Sequence, residues 1–390
     1  MPIFVRAATL ALCCGAFAVT LVRAQQPETG ALVTVLGNDT LAVEQWTRTG
    51  DRIEAEAAVR SPRTVLRRFT LELSPSGALR SWHDATLDPA NPAAAPLRTE
   101  SIRQASGGWT RTVIVGDSTA TSPVTAIDSL SLPWVDLVHW PFDLATQRAV
   151  ASGGSEQPFV TGGRPLRYGV ARDGQRVTLT HPLRGPSVAR VDARGRLLSL
   201  DAAGTTRKVI VTRVPSADVR GAAARWSAAD RAGRGIGELS GRGADTADVA
   251  GARITLDYGT PSMRGRQIWG GIVAFGQVWR TGANRATHFR TSRPLVLGSG
   301  ADSLAVPAGE YTLFSIPAAD GGVLIVNRQT GQAGTSSDPA QDLGRVRLTR
   351  RPLAEPVERL TLRVTPEGGD GGLLRIQWAD AELVVPVRVR

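Results

Sequence analysis

The chain has 390 residues, of which 42% are hydrophobic, and a formal net charge of +11 at pH 7. The apolar content is enough for packed cores, and the length exceeds what one compact core usually contains, so two domains are expected. Lys208 is the only lysine, and the arginines are scattered along the chain instead of grouped in runs. The charge therefore gives no support for nucleic-acid binding.

Residues 1–24 predict a secretory signal peptide. The apolar run Ala7 to Val22 lies between two arginines, and a polar sequence follows Ala24. The run is shorter than the roughly 20 residues that cross a bilayer, and no later stretch is longer. We expect cleavage near Ala24, a periplasmic or extracellular location and no membrane span. Both cysteines lie in the removed segment, so neither a disulfide nor thiol chemistry is expected.

Residues 25–220 predict an antiparallel β domain. From Leu32 to Thr86, apolar and polar residues alternate with period two, and turn residues interrupt the pattern about every ten residues. Such short turns can join only antiparallel neighbours, so the strands form a meander. One short amphipathic helix is expected around Trp134, ended or bent by Pro141, and strands then resume.

The segment 221–250 is rich in Ala and Gly, which predicts an interdomain linker. Residues 251–390 then show nine or ten short strands without intervening helices, a spacing that favours a two-sheet sandwich or jelly roll. The predicted fold class is therefore all-β. It consists of an antiparallel meander with one short helix, followed by a β-sandwich.

The C-terminal segment carries spaced motifs whose order and spacing are more specific than any one of them. In chain order they are Asp257-Tyr258-Gly259-Thr260-Pro261-Ser262 with Gly265-Arg266, Trp269-Gly270-Gly271-Ile272-Val273, Val278-Trp279-Arg280-Thr281-Gly282-Ala283-Asn284, Pro307 to Pro317, Asn327 and Asp342-Leu343-Gly344-Arg345-Val346.

These motifs, from about Ala252 to Arg390, resemble a family of exported bacterial proteins catalogued as domain of unknown function 2911. The resemblance implies a compact β domain and export, and it implies no activity. The family tends to carry aromatic residues between Asn327 and Asp342, where this chain has Gln332 to Ser337. A binding surface formed by that loop in relatives is therefore in doubt here.

The candidate site is the run Trp279 to Asn284, which places a guanidinium, a hydroxyl and an amide around a flexible glycine. Such a cluster is suited to a carboxylate, a phosphate or a sugar hydroxyl. The candidate ligand-binding residues are Arg280, Asn284, His288, Trp279, Arg266 and Tyr258. The alternative, which we favour for these residues, is that the polar groups bond to neighbouring backbone while Trp279 packs in the core.

The other motifs give little support for a catalytic or metal-binding site. Gly116-Asp117-Ser118 and the pair Asp136 and His139 are similar to the catalytic blocks of one esterase class, but their position inside a β meander favours a turn. The four histidines are far apart in sequence, and neither a metal-ligand spacing nor a phosphate-binding loop is present. No metal and no cofactor are therefore expected.

The sequence predicts a non-catalytic binding or structural module of the cell envelope. Its ligand is unknown, with a carbohydrate or another envelope component as the candidate partner. Two alternatives stand beside it. One is an envelope hydrolase acting on a glycan, ester or peptide, which needs a polar pocket with reactive groups in contact. The other is a carrier, which needs an apolar cavity under the helix near Trp134.

Overall fold

The computed structural model describes residues 26–125 and 127–390, so the predicted signal peptide lies outside the described residues. The all-β prediction is confirmed, because these residues form one sheet of 15 strands and a second of nine. Neither described α-helix is long and apolar enough to cross a membrane.

The N-terminal sheet is a meander whose first strand lies in its interior. The chain runs outward from β1 to β8 and returns through β9 to β15, and β15 pairs with β1. The strands are β1 (Glu28–Leu36), β2 (Asp39–Thr49), β3 (Arg52–Val59), β4 (Val65–Leu73), β5 (Leu79–Leu87), β6 (Arg98–Ala105), β7 (Gly108–Val115), β8 (Ser118–Val124), β9 (Leu132–Pro133), β10 (Glu156–Thr161), β11 (Arg164–Asp173), β12 (Arg176–His181), β13 (Gly185–Val191), β14 (Leu197–Asp201) and β15 (Ile210–Val214).

The first helix, α1 (Trp140–Ser152), starts where the sequence predicted an end. Pro141 occupies its first turn, where a missing N–H costs nothing, so the expected helix around Trp134 was wrong. The carboxylate of Glu44 on β2 accepts the backbone N–H groups of His139 at 2.8 Å and Trp140 at 2.9 Å. A carboxylate from a distant strand therefore caps this helix, and no local pattern reveals it.

The helix α1 packs on the face of the sheet that carries Phe69, whose ring lies 5.8 Å from that of Trp140. Phe142 contacts Phe159 at 5.2 Å and Tyr168 at 5.6 Å on the returning strands. Because α1 touches strands from both halves of the meander, its side chains fill the space within the curved sheet.

The segment predicted as a linker contains regular structure at both ends. The helix α2 (Val219–Arg231) packs Val219 and Ala223 against Ala58 and Leu66, on the face of the sheet opposite to α1. The strand β16 (Ser240–Val249) belongs to the C-terminal sheet. Only residues 232–239 connect the two parts without regular structure, because the alanines form a helix and the alternating glycines and aspartates form an edge strand.

The C-terminal sheet has the order β16-β17-β18-β21-β22-β23-β24-β19-β20. Its last two strands form a long hairpin with register shifts near Pro352 and Val357, and its outer half folds over β16, where Val364 N–H donates to Asp245 at 2.9 Å. The outer half of the hairpin and the strands from β16 therefore face each other as the two layers of a sandwich. The strands after β16 are β17 (Ala252–Pro261), β18 (Thr287–Thr291), β19 (Leu295–Ser299), β20 (Asp302–Val306), β21 (Gly309–Ala318), β22 (Gly321–Asn327), β23 (Asp342–Gly368) and β24 (Gly371–Val389).

The two sheets meet where the β1–β2 turn touches the loop after β17. Asn38 N–H donates to the carbonyl of Arg264 at 2.9 Å, and the Arg264 guanidinium pairs with Asp39. Gly37 and Gly265 have φ angles of 59° and 70°. A Cβ on Gly37 would overlap the Arg264 carbonyl, and one on Gly265 would overlap the Asn38 side chain. Backbone therefore packs directly on backbone at this junction.

Gly37→Ala is expected to destabilise the protein more than Gly50→Ala, its matched control. Both glycines have φ of 59°, but Gly50 lies in the open β2–β3 turn with no atom near the added Cβ. The left-handed backbone costs about 1–2 kcal/mol in both variants, and overlap with Arg264 adds about 1–3 kcal/mol in the first. Guanidinium denaturation measures the difference. Equal losses of unfolding free energy would contradict the backbone contact.

Candidate functional site

The distinctive tryptophan of the candidate site, Trp279, is partly buried and packs against the core of the C-terminal sheet. The Trp279 ring lies 6.1 Å from that of Trp378 at an angle of 21°, and edge-on to Trp269 at 6.1 Å. Its N–H donates to the carbonyl of Gly282 at 3.2 Å, and its backbone pairs with Ser315. Trp279 therefore anchors the loop that presents Arg280.

Arg280 is half-buried beside this anchor. Its guanidinium donates to the carbonyl of Ala333 at 3.0 Å. Burial lowers the pKa of Arg280 from its ordinary value, since the charged form loses part of its hydration. The guanidinium is therefore held in place by a neutral partner.

Three of the remaining candidates do not converge on Arg280. Asn284 is exposed and donates to the carbonyl of Ser240 at 2.8 Å, and His288 Nε2 accepts the N–H of Gly331 at 3.1 Å. Tyr258 is buried in the sandwich, and burial raises the pKa of its hydroxyl. These contacts match the structural alternative, and a ligand-binding role for the three stays a prediction.

Arg266 lies at the junction of the two sheets. Its guanidinium donates to the carbonyls of Met263 at 3.0 Å and Ser262 at 2.7 Å. A Cβ on Gly37 of the β1–β2 turn would lie 3.0 Å from its Cγ, which places the side chain against the N-terminal sheet. Burial, and then the charge of Arg264, lower the pKa of Arg266.

Lys208 joins this cluster from the N-terminal sheet. The pairing of Ile210 with Val35 brings the residues just before β15 beside the Gly37 turn. The ammonium donates to the carbonyl of Ala203 at 3.1 Å. Burial lowers the pKa of Lys208, and the charges of Arg266 and Arg280 lower it further. In the sequence, Lys208 is distinguished only by being the single lysine.

We call Lys208, Arg266 and Arg280 the junction cations. In the described part of the chain none of them forms an ion pair, and each donates only to main-chain carbonyls. Two carboxylates act nearby, but Asp39 pairs with the Arg264 guanidinium and Glu358 accepts the Arg264 N–H at 2.8 Å. Positive charge therefore gathers at the junction without full compensation, an arrangement suited to an anion.

A second cluster lies under Trp134, where a cavity of about 50 Å³ leaves room for a few water molecules. His181 Nδ1 accepts two backbone N–H groups at 3.0 and 3.2 Å. Asp136 pairs with Arg184 at 2.7 Å and with Arg207. The polar groups around this cavity are thus engaged with one another, and the space is too small for an apolar chain.

The residues similar to an esterase site, Ser118 and His139, do not contact each other. Gly116 has a φ of 55°, and the pairing of Val115 with Ser118 closes a tight turn, which confirms the turn interpretation. His139 Nδ1 lies 3.0 Å from the hydroxyl of Thr34, away from Ser118. Within residues 26–125 and 127–390, no group of three or more His, Cys, Asp and Glu side chains is arranged to hold a metal ion.

Comparisons with known proteins give a family without a named activity. Residues 240–387 match the family described as "Protein of unknown function (DUF2911)". No curated protein matches the chain.

Two solved structures are similar at low identity. A DUF1089 family protein from Pseudomonas aeruginosa is 13% identical, with 42% of this chain and 91% of that one covered and a TM-score of 0.27. A β-barrel-like protein of the domain of unknown function DUF1849 from Brucella abortus is 9% identical, with 48% and 94% covered and a TM-score of 0.29. Similarities this weak indicate nothing about function.

Lys208→Met is expected to make the protein more stable than the wild type at pH 7 in dilute, phosphate-free buffer. The lowered pKa of Lys208 means that the unfolded chain holds this proton more tightly, so the buried charge costs stability below the lowered value. That cost disappears as pH rises through the window between the lowered pKa and the ordinary 10.5. The free energies of unfolding of the wild type and Lys208→Met should therefore approach each other as pH rises, and urea denaturation across this range measures both. Lys208→Arg keeps its charge, so its stability should not approach that of Lys208→Met. A difference between the wild type and Lys208→Met that does not change with pH would contradict a buried, charged Lys208.

Proposed function

We propose that this protein, whose residues 240–387 match the DUF2911 family, is an exported, non-catalytic binding module that recognises an anionic component of the cell envelope. The ligand is bound at the junction cations, between the two β domains. The observation that carries the proposal is the presence of Lys208, Arg266 and Arg280 in one half-buried place, where no carboxylate among residues 26–125 and 127–390 pairs with them.

Clustered cations repel one another, and the repulsion increases as water is excluded. An anion placed among them reverses the sign of the interaction and restores the pKa of Lys208. Guanidinium groups suit planar or tetrahedral oxyanions because they offer paired donors, whereas an ammonium acts as a point charge. Carboxylates and phosphates therefore fit the junction, in agreement with the ligand chemistry predicted for Arg280.

The junction is also a fixed place. The β1–β2 turn and the loop at Arg264 pack backbone on backbone, so Lys208 from one sheet and Arg266 from the other keep their relative positions. Donors held in position bind a ligand with less loss of conformational freedom. Such a site supports recognition without any chemical step.

The two alternatives have less support. A hydrolase needs an unengaged acid, base or nucleophile, whereas Asp136 and His181 are occupied by arginines and backbone N–H groups. A carrier needs an apolar cavity, whereas α1 and its aromatic side chains fill the curved sheet.

Export rests on the apolar run Ala7 to Val22 between two arginines, a pattern typical of a cleaved signal. Expression of the full chain in a bacterial host is expected to give a periplasmic or secreted protein whose N-terminus is Gln25. N-terminal sequencing of the recovered protein measures this. A cytoplasmic product that keeps Met1 would contradict export.

Inorganic phosphate is the simplest probe of the junction. We expect phosphate to raise the Tm of the full chain more than sodium chloride does at equal ionic strength, because it binds only the folded state. Lys208→Gln and Arg280→Gln should each weaken phosphate binding about tenfold, the loss of one hydrogen bond to a charged group.

Arg290→Gln is the matched control, since Arg290 is exposed on β18 of the same domain. It should leave the phosphate shift unchanged. The same shift in all four proteins, or a shift reproduced by chloride, would indicate general charge screening and overturn the proposal.

A further inference from the structure

The strands at the ends of the two described sheets differ in how their free edges are protected. These strands are β8 and β9 in the N-terminal sheet, and β16 and β20 in the C-terminal sheet. A free edge presents backbone groups that another strand can pair with, and proteins usually block it with a charge, a proline or a very short strand. The strand β9 has only two residues, β16 carries an arginine and two aspartates, and β20 carries Asp302.

The strand β8 lacks such protection over most of its length. Six of its seven residues are exposed, and only Val124 at its end is buried. It contains no charged side chain, and its one proline, Pro123, stands next to the end. Among the described strands it pairs with β7 alone. The stretch from Ser118 to Ser122 is therefore an open, uncharged edge.

The turn between β7 and β8 fixes which backbone groups point to this edge. Val115 pairs with Ser118 across a two-residue turn, so these two residues exchange both backbone hydrogen bonds. Bonded and non-bonded pairs alternate along antiparallel strands, which leaves the N–H and C=O groups of Thr119 and Thr121 pointing away from β7. Pro123 lies on the same side, in agreement with the preference of edge prolines to face solvent with the missing N–H.

The sequence of the open edge reads the same in both directions. The residues Ser118-Thr119-Ala120-Thr121-Ser122 are symmetric about Ala120. Two antiparallel copies centred on Ala120 therefore place threonine opposite threonine and serine opposite serine. The N–H and C=O groups of Thr119 then meet those of Thr121 in the other copy, and the two-fold axis repeats this exchange. The strand is thus complementary to itself, as a symmetric dimer requires.

We propose that β8 pairs with β8 of a second copy of this chain, antiparallel and centred on Ala120, so that the two N-terminal sheets join edge to edge. The contact is separate from the junction cations and does not depend on the proposed function. In the monomer the edge groups are hydrated, and in the dimer backbone hydrogen bonds replace that hydration, as in other cases of strand addition.

Charge and register favour a second copy over an unrelated extended peptide. An uncharged strand meets its own copy without the like-charge repulsion that disfavours edge pairing. Centring two copies on Thr121 would place Thr119 opposite Pro123, which has no N–H to donate. Centring them on Thr119 would bring the charged turn residue Asp117 into the pairing. Only the register centred on Ala120 avoids both residues.

Sedimentation velocity over a concentration series tests the pairing. The full chain is expected to dimerise as its concentration rises, because an edge contact of small area gives a reversible dimer. Thr119→Pro removes one cross-strand N–H donor from each copy, while its nitrogen faces away from β7. It should weaken dimerisation at least about tenfold. Ala120→Lys places two ammonium groups together on the two-fold axis and should weaken it by a similar factor.

Ala305→Lys is the matched control, since Ala305 is also an exposed alanine on an edge strand, β20. It should leave dimerisation unchanged, and the Tm of each variant shows that the chain is folded. A wild-type chain that stays monomeric at every soluble concentration would overturn the proposal, whether or not it binds extended peptides. Equal weakening by Ala120→Lys and Ala305→Lys would do the same, because it would indicate general charge repulsion.

Cysteine cross-linking tests the register in a chain that carries Cys13→Ser and Cys14→Ser. In the proposed dimer the two Ala120 residues form a non-hydrogen-bonded pair, whose Cα atoms lie about 4.5 Å apart, within the range of a disulfide. Mild oxidation of Ala120→Cys should therefore give a covalent dimer. Thr119→Cys should give much less, because its two copies lie opposite Thr121 and not opposite each other. Equal cross-linking of both variants, or none of Ala120→Cys, is incompatible with this pairing.

Discussion

The contact between the β1–β2 turn and the loop after β17 is the constraint on which the arrangement of the molecule depends. Glycines stand on both sides of it, at Gly37 and Gly265, because any side chain would separate the two backbones. Arg264 closes the contact through its carbonyl and its pair with Asp39. Since backbone is less adaptable than side chains, this contact fixes one sheet against the other, and it brings Lys208 beside cations of the second domain.

Within the N-terminal sheet, buried carboxylates hold α1 in place. Glu44 caps the start of the helix, and Asp143 accepts Arg213 and the N–H of Leu197 at 2.8 and 2.7 Å. Burial raises the pKa of Asp143 despite these partners, so desolvation outweighs the pairing. The interior of the curved sheet is thus occupied by the helix and its bonded charges, while the junction and the outer face of the sheet stay accessible to solvent.

Local sequence patterns predicted the presence of helices and strands better than the residues at which they begin and end. Period-two alternation identified most strands of both sheets, since burial on one face depends on a repeat visible in the sequence, but β16 was assigned to the linker. The helix expected around Trp134 begins instead at Trp140, because its cap comes from Glu44 nearly a hundred residues earlier. For the site residues too, the motif predicted the residue types but not their surroundings. Trp279 and Arg280 share one motif, yet the first packs against the core and the second faces the junction.

The sequence by itself determined the all-β class with an N-terminal meander and a separate C-terminal sheet, the family resemblance of the C-terminal part and the types of residue available for binding. These follow from periodicity, composition and motif order, which are local properties of the chain. Only the tertiary structure decided which charges lack a partner and which strands are left at the edges of the sheets. Both depend on strand pairing and on the contact of two sheets. A shift of one residue would turn the Thr119 and Thr121 side chains to the other face and take Lys208 away from Arg266.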